Sequence, residues 1–462
     1  MTKKTVTAQS LGISNELVKH DAIYVIEKLH QNKFDGYIVG GGVRDLLLNK
    51  IPKDFDIVTN ATPEQVRKIF RKNSIIIGRR FKIVHVIFDN INPDKMINNR
   101  PVTEKHIIEI STYRSSKIHK KNLNERGRIT EDNNYGTQKE DALRRDFTIN
   151  SLYYDPINGI VIDYNNGLKD IEKKLIRIIG DPKERYTEDP VRMLRAFRLS
   201  VKLGLKIEKD TFVPFAKMKH LLTHENKGRL YEEMLKILLS GSSAQCIAKL
   251  HEVKLPHEVF GLFDRLFFKQ NPDQFAVKVL EKTDARLKET TDVSLVFILA
   301  GLMWNIIYTD WLKLIPTGLS PQQALSESIF QNRDFAYEIG ITKYTYAAMR
   351  DVWLLQLDFE QPTLKRLETI LSVPRFRQAW HLFSLRNEVN QVDQKLHEWW
   401  EKFITANNEQ RIALHEELKN IVQLTPFVKP PKKRRRKKKA SQQVAQPDAE
   451  IAEEFNSDET IE

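Results

Sequence analysis

The stretch 37-YIVGGGVRDLLLNKIPKDFDIVTNATPEQV-66 decides how the rest of this chain is read. A short apolar run, Tyr37–Val39, meets three glycines, Gly40–Gly42, and a helical pattern follows from near Val43. Asp54 and Asp56 then flank Phe55. Strand alternation puts both acids on one face and turns Phe55 and Ile57 toward a core. Two carboxylates held that close repel, so keeping both ionised calls for a counter-charge. Mg2+ (with Mn2+ as the alternative ion) meets that need, because it takes hard oxygen ligands together with substrate phosphates. Such ions activate an attacking hydroxyl and stabilise a departing pyrophosphate in an in-line displacement. Taken singly, each signal is weak. Acids at strand ends are common, and a glycine turn serves as a tight turn as readily as a phosphate cradle at a helix N-terminus. Neither the dinucleotide GxGxxG nor the GxxxxGK[ST] spacing is present. Turn, helix and acid pair within seventeen residues make a stronger combination.

Outward from this stretch the pattern alternates. Residues 20–30 read as an amphipathic helix, and residues 1–30 as a helical lead-in. "VRDLLLNK" and "TPEQVRKIF" read as helices, and "DFDIVT", "FKIVHVIF" and "HIIEIST" as strands, giving a small mixed α/β head over 31–168. Polar residues at about 90–105 and 114–134 read as loops. From Asp170 strand patterns fade. A helical neck (169–250) and an all-α body (251–425) are expected. The greasy run from Val293, interrupted by Ser294 and Asn305, reads as a buried helix and not a membrane span. Lys432–Lys439 is a run of eight basic residues inside a tail, 426–462, whose basic and then acidic blocks predict disorder.

The net charge is +13, and the segment from Lys429 carries nine basic and seven acidic residues, so most of the excess sits on the folded part. That suits a phosphate-rich partner and simple solubility alike. Cys246 is the only cysteine, which excludes an internal disulfide and a cysteine zinc site and fits a reducing cytoplasm. The N-terminus has no apolar core of signal-peptide length.

"GGGVRDLLLNKIPKDFDIVT" resembles the signature of the class II nucleotidyltransferases, which include bacterial poly(A) polymerases and tRNA CCA-adding enzymes. "RRDFTINSLYYD" from Arg144 and "TEDPVRMLRAFRLSVKLG" from Thr187 resemble that family's next two motifs, in order, across about 165 residues. The resemblance covers head and neck well and the body in patches. It implies that Asp54 and Asp56 bind the metals and that a third carboxylate stands nearby. Asp146 is the choice, with Glu109 a rival through strand alternation. Gly41, Gly42, Arg44 and Arg145 are expected at the nucleotide phosphates, though Arg44 has Asp45 and Asp56 as alternative partners.

In the third motif Asp189 reads as an N-cap and Pro190 as first-turn residue. Met193, Leu194, Phe197 and Val201 form an apolar stripe, with Arg192, Arg195 and Arg198 on another face. Three arginines on one face repel unless something anionic or carbonyl-rich lies opposite. In the family the residues matching Asp189, Arg192 and Arg195 contact the incoming nucleotide.

The motifs imply nucleotidyl transfer to an RNA 3′ hydroxyl. "GRRFKIVHV" from Gly78 and "PRFRQAWHLFSLR" from Pro374 look like poly(A) polymerase segments. Arg375 and Arg377, with Lys432, Arg434, Arg435 and Arg436 of the tail, are the expected RNA contacts, although packing through Phe376, Trp380 and Phe383 explains the first of these segments equally well. The expectation is an enzyme that adds AMP from ATP to RNA 3′ ends in the cytoplasm. It is expected as a monomer, without a membrane, and in the company of RNA-decay proteins. A CCA-adding enzyme, a non-catalytic RNA-binding protein and a metabolic nucleotidyltransferase are the alternatives.

Overall fold

In the computed structural model of the chain, residues 3–78, 81–97, 100–115, 134–289 and 293–421 are described. The expected RNA contacts in the tail, the arginines of "GRRF" and most of the loop at 114–134 lie outside them.

The head is an eight-stranded sheet. Its strands are β1 (Lys4–Thr7), β2 (Tyr37–Val39), β3 (Asp56–Thr59), β4 (Ser74–Ile77), β5 (Ile83–Ile97), β6 (Arg100–Thr112), β7 (Leu152–Asp155) and β8 (Ile160–Asp163), in the order β1-β8-β7-β2-β3-β6-β5-β4. Every pairing is antiparallel except β3 with β6. Across the middle, Ile38, Ile57, Ile110 and Val84 share one cross-strand row, and all four are buried. Helices α1 (His20–Gln31) and α3 (Pro63–Phe70) pack on this side, through Ala22, Val25, Ile26 and Val66. The start of α3 is written locally. Thr62 and Gln65 form a reciprocal capping box, and Pro63 occupies the first turn, where a missing N–H costs nothing.

The opposite face holds a second apolar cluster, Val39, Val58, Tyr113, Tyr153 and Ile162, covered by Ala142 of α4 (Gln138–Arg144). Residues one step along each strand from the first row therefore face this side.

The sheet corrects one expectation. Residues 90–105 are not a loop: β5 and β6 continue as a long antiparallel ladder as far as Ile97 and Arg100. Main-chain hydrogen bonds hold such a ladder whatever the side chains, so a polar sequence hides it. Pro93 falls at the register shift between Asn92 and Met96, where its missing N–H is tolerated.

Beyond the sheet come α5 (Gly167–Glu172), α6 (Pro182–Glu188), α7 (Val191–Leu203) and further helices to Ile421. Strand structure does not end at Asp170, because Leu175–Ile176 pairs in parallel with Lys206–Ile207. The apolar helix Leu295–Leu314, long enough to cross a membrane by length and composition, is a core helix: Ile298, Leu299, Leu302, Met303, Trp304 and Ile307 are all buried. Arg386 is fully buried in the same body, paired with Glu360, bonded to Gln356 at 3.1 Å and lying 4.4 Å over the Trp304 ring.

Candidate active site

Asp56 stands in a cross-strand row, Val39–Asp56–Glu109–His85, on the face away from α1 and α3. Because β3 and β6 run parallel in register, Glu109 is the acid set directly beside Asp56. His85 Nε2 lies 3.7 Å from Glu109 on the far side. Asp54 precedes the strand and is exposed, while Phe55 between the two acids is buried, so the expected alternation holds.

The charge crowding has a measurable consequence. Burial first, then Glu109, with Asp54 adding and Arg145 opposing, pushes the Asp56 carboxyl up to about 6. The residue is still exposed to solvent, so it does not sit in a sealed interior. A site that disfavours its own negative charge while remaining open fits a divalent cation, and Asp54, Asp56 and Glu109 would be the residues to hold one. Among the described residues no three carboxylate, imidazole or thiol groups form a ready-made cage. Mg2+ held by one or two carboxylates and completed by substrate phosphates needs none.

The glycine turn closes on these acids. Helix α2 (Gly41–Leu47) begins two residues earlier than the sequence reading placed it, and Gly40 is its N-cap with φ 68° and ψ −129°. A Cβ at Gly40 would stand 3.7 Å from Arg145 Nη1 and 4.0 Å from Asp56 Oδ2. Gly42 serves packing instead, since a Cβ there would lie 3.2 Å from Ile38 Cγ2 and 3.5 Å from the Asp54 carbonyl oxygen. Arg145 donates to Asp141 Oδ2 from Nε (3.2 Å) and Nη2 (3.1 Å), and Tyr153 donates to the same oxygen at 2.7 Å. Burial opposes the Arg145 charge, but Asp141 and Tyr153 outweigh it and keep the guanidinium protonated.

Two residues carried alternatives, and the structure gives the partners of each. Arg44 lies against the turn, where a Cβ at Gly41 would stand 3.4 Å from its Nη2, and is buried and tied in place: it donates to Asp45 Oδ1 from Nε (2.8 Å) and Nη2 (2.6 Å), and to Asn150 Oδ1 at 2.9 Å. Asp146 is not the acid beside Asp56. It is buried, accepts from the Phe147 N–H (2.8 Å) and Asn150 Nδ2 (3.1 Å), and pairs with Arg195 at 2.8 Å. Burial raises its pKa, yet Arg195 and these hydrogen bonds prevail and hold it below the usual carboxylate range. The sequence placed Asp146 among basic residues and left its direction open; the fold aims it at the neck.

In the neck each arginine of α7 meets an acid. Arg192 bonds Glu188 Oε2 and the Arg185 carbonyl, both at 2.8 Å, Arg195 pairs with Asp146, and Arg198 Nε reaches Glu233 at 2.5 Å. Asp189 closes α6 and precedes the Pro190 N-cap, so it is not itself the cap of α7. Its carboxylate takes a weak bond from the Val191 N–H at 3.2 Å and a bifurcated one from Arg229 Nη2, 2.8 Å to each oxygen. Sequence reasoning missed Arg229, which sits in "ENKGRLYEEM" with no spacing to single it out. It also missed Arg185, whose Nη2 binds the carbonyls of Arg144 (2.7 Å) and Arg145 (2.8 Å), clamping the second motif to α6. A cavity of about 980 Å3 between α1, α3 and β5 includes none of the candidate site residues.

Arg375 and Arg377 lie apart from this site, at the start of the body helix Phe376–Glu388. Phe376 and Phe383 of that helix are buried against Phe359, as the packing alternative requires, and both arginines line a separate groove.

Residues 36–177 match the poly A polymerase head domain, 204–266 the probable RNA and SrmB-binding site of polymerase A, and 317–440 the polymerase A arginine-rich C-terminus. Among solved structures, a tRNA-processing enzyme in its apo form aligns over 89% of this chain and 98% of its own, with a TM-score of 0.54 at 21% identity. The CCA-adding enzyme of Bacillus stearothermophilus aligns over 87% and 92%, with a TM-score of 0.51 at 21% identity. At that identity the two attest the fold. Fold and head domain together define the class, and the protein is a nucleotidyltransferase. Poly(A) polymerase I of Escherichia coli O6:H1 is 38% identical over 422 residues, 88% of this chain and 87% of that one, and its Haemophilus influenzae counterpart is 34% identical over 438 residues, 91% and 92%. The chain belongs to the poly(A) polymerase I family.

Proposed function

We infer that the protein is a template-independent poly(A) polymerase that adds AMP from ATP to RNA 3′ ends. The observation that carries the chemistry is the row that sets Glu109 beside Asp56, with Asp54 next to them and Arg145 across the glycine turn. The product follows from coverage: poly(A) polymerase I relatives align along nearly the whole chain, whereas the CCA-adding enzyme of Bacillus pumilus, 36% identical, aligns over 54% of it.

In this reading the RNA 3′ oxygen bonds to the α-phosphorus of ATP, the bond to the bridging oxygen breaks, and pyrophosphate leaves. Asp54, Asp56 and Glu109 would hold Mg2+, which when bound would supply activation of the hydroxyl and neutralisation of the phosphates. The hydroxyl proton passes to a carboxylate of the row or to water. Amides of the Gly40–Gly42 turn and Arg145 receive the triphosphate. Asp189 and Arg192 present hydrogen-bonding edges to the adenine, with Arg229 and Glu188 holding them in the meantime. Arg195, paired with Asp146, supports that surface from behind. RNA-decay proteins are the partners such tailing would serve. One buried cysteine suits the cytoplasm.

The test is to supply Mg2+ and each of the four NTPs separately to the full chain, with an unstructured RNA and a tRNA lacking its 3′ end. Long ladders from ATP on both RNAs are expected. Addition of a few C and A residues to the tRNA alone would make it a CCA-adding enzyme, and no extension at all would leave an RNA-binding protein.

A further inference from the structure

Three guanidinium groups line one groove of the helical body, and among the described residues no acid joins them. Arg375 and Arg377 share a groove of about 730 Å3 with Arg286, which comes from the helix Gln274–Glu289. His381 joins them, its Nε2 3.5 Å from Arg286 Nη1. Burial, then Arg286, then Arg377 pull the imidazole below its usual range, so it adds a neutral ring and not a fourth charge. Among the described residues no acidic side chain lines the groove, and none pairs with these three arginines. Like charges gathered without compensation are relieved by an anion.

Apart from Gln378, the rest of the groove is apolar. Leu371, Val373 and Ile404 line it, together with Trp380, whose half-buried indole stacks on His397 at 4.9 Å. Arg375 holds a left-handed backbone, φ 70°, which non-glycine residues rarely adopt. A cationic rim over an aromatic and aliphatic floor matches the two halves of a nucleotide, phosphate and base. Its size falls within the roughly 300–1,000 Å3 of small-ligand sites. Free ATP carries Mg2+ on its phosphates, and among the described residues the groove offers no carboxylate for that ion, whereas a phosphodiester needs none.

We propose that this groove binds a nucleotide unit of single-stranded RNA upstream of the 3′ end, with phosphates on Arg286, Arg375 and Arg377 and a base against Trp380. The proposal rests on the reading of the chain as an RNA-tailing enzyme and adds Arg286, which no motif marked. The test measures equilibrium binding of an unstructured RNA of about 20 nucleotides to the full chain, without ATP or Mg2+, over a salt series. Arg286→Glu is expected to weaken binding about tenfold and to make the log–log salt slope shallower by about one. AMP addition to a primer of about four nucleotides should keep its wild-type rate. An unchanged dissociation constant and slope would overturn the proposal. So would an Arg286→Lys variant that loses as much as Arg286→Glu, because the role would then be structural. AMP displacing the RNA from wild-type protein at the affinity of the RNA itself would assign the groove to mononucleotides, again overturning it. Failure of the wild-type chain to extend any RNA would sink the polymerase reading and leave the binding result standing.

Discussion

Asp56 shows how a carboxylate on which the proposed chemistry rests can be costly to a fold. Its folded-state pKa, about 6, lies above the ordinary 3.8, so folding takes up a proton between those values. Above that range both the folded and unfolded chains carry the charge, and the folded state bears the crowding with Glu109 and Asp54. Four consequences follow at this scale. Asp56→Asn should raise the melting temperature slightly at pH 8 without metal, while lowering AMP incorporation by more than the roughly 10–100-fold typical of losing an outer-shell partner. Thermal shift and a primer-extension gel check the two halves. Stabilisation by Mg2+ should be larger at pH 8 than at pH 5.5, since protonated Asp56 is a poor ligand; equal shifts at both pH values would place the ion elsewhere. Glu109→Gln should lower kcat with little change in stability. Asp146→Asn should instead cost stability, about 1–3 kcal/mol, by weakening a buried charge-assisted contact with Arg195. Urea unfolding and single-turnover rates separate those two roles.

The elements that carry these residues were unevenly legible. Strand β3, helix α2 and helix α3 could be read because each is short, has its own turn or cap and buries one face. Gly40 is the informative failure. The sequence shows three glycines alike, but only the backbone reveals that Gly40 has a left-handed φ and borders both Arg145 and Asp56. Gly40→Ala should therefore impose roughly 1–3 kcal/mol of strain on the turn and reduce ATP affinity more than RNA affinity. Equal binding of both ligands to the variant and the wild type would mean that the turn does not receive the triphosphate. The β5–β6 ladder was illegible for the opposite reason, because polar residues paired through their main chains leave no hydrophobic period to detect.

Across the whole molecule, one polar chain ties the glycine helix to the neck: Asp45 to Arg44, Arg44 to Asn150, Asn150 to Asp146, and Asp146 to Arg195. Asn150 is its joint, using its amide oxygen toward the head and its amide nitrogen toward Asp146. Asn150→Ala takes one hydrogen-bond partner from each of two buried charged groups, Arg44 and Asp146, and should lower unfolding stability by about 1–3 kcal/mol, as read in urea. If the variant unfolds at the wild-type denaturant concentration, the two halves are held by apolar packing alone.

The sequence by itself determined the class of the head, the paired acids, the glycine turn and the arginine-bearing neck helix, because these depend on local spacing and on periods of two and 3.6 residues. Only the tertiary structure decided that Glu109 and not Asp146 stands beside Asp56, that Arg44 is tied to Asp45, that Arg229 holds Asp189 and that Arg286 shares a groove with Arg377. Those are meetings between residues distant along the chain. They are decided by the parallel register of β3 with β6 and by helix packing, and neither leaves a mark in local sequence.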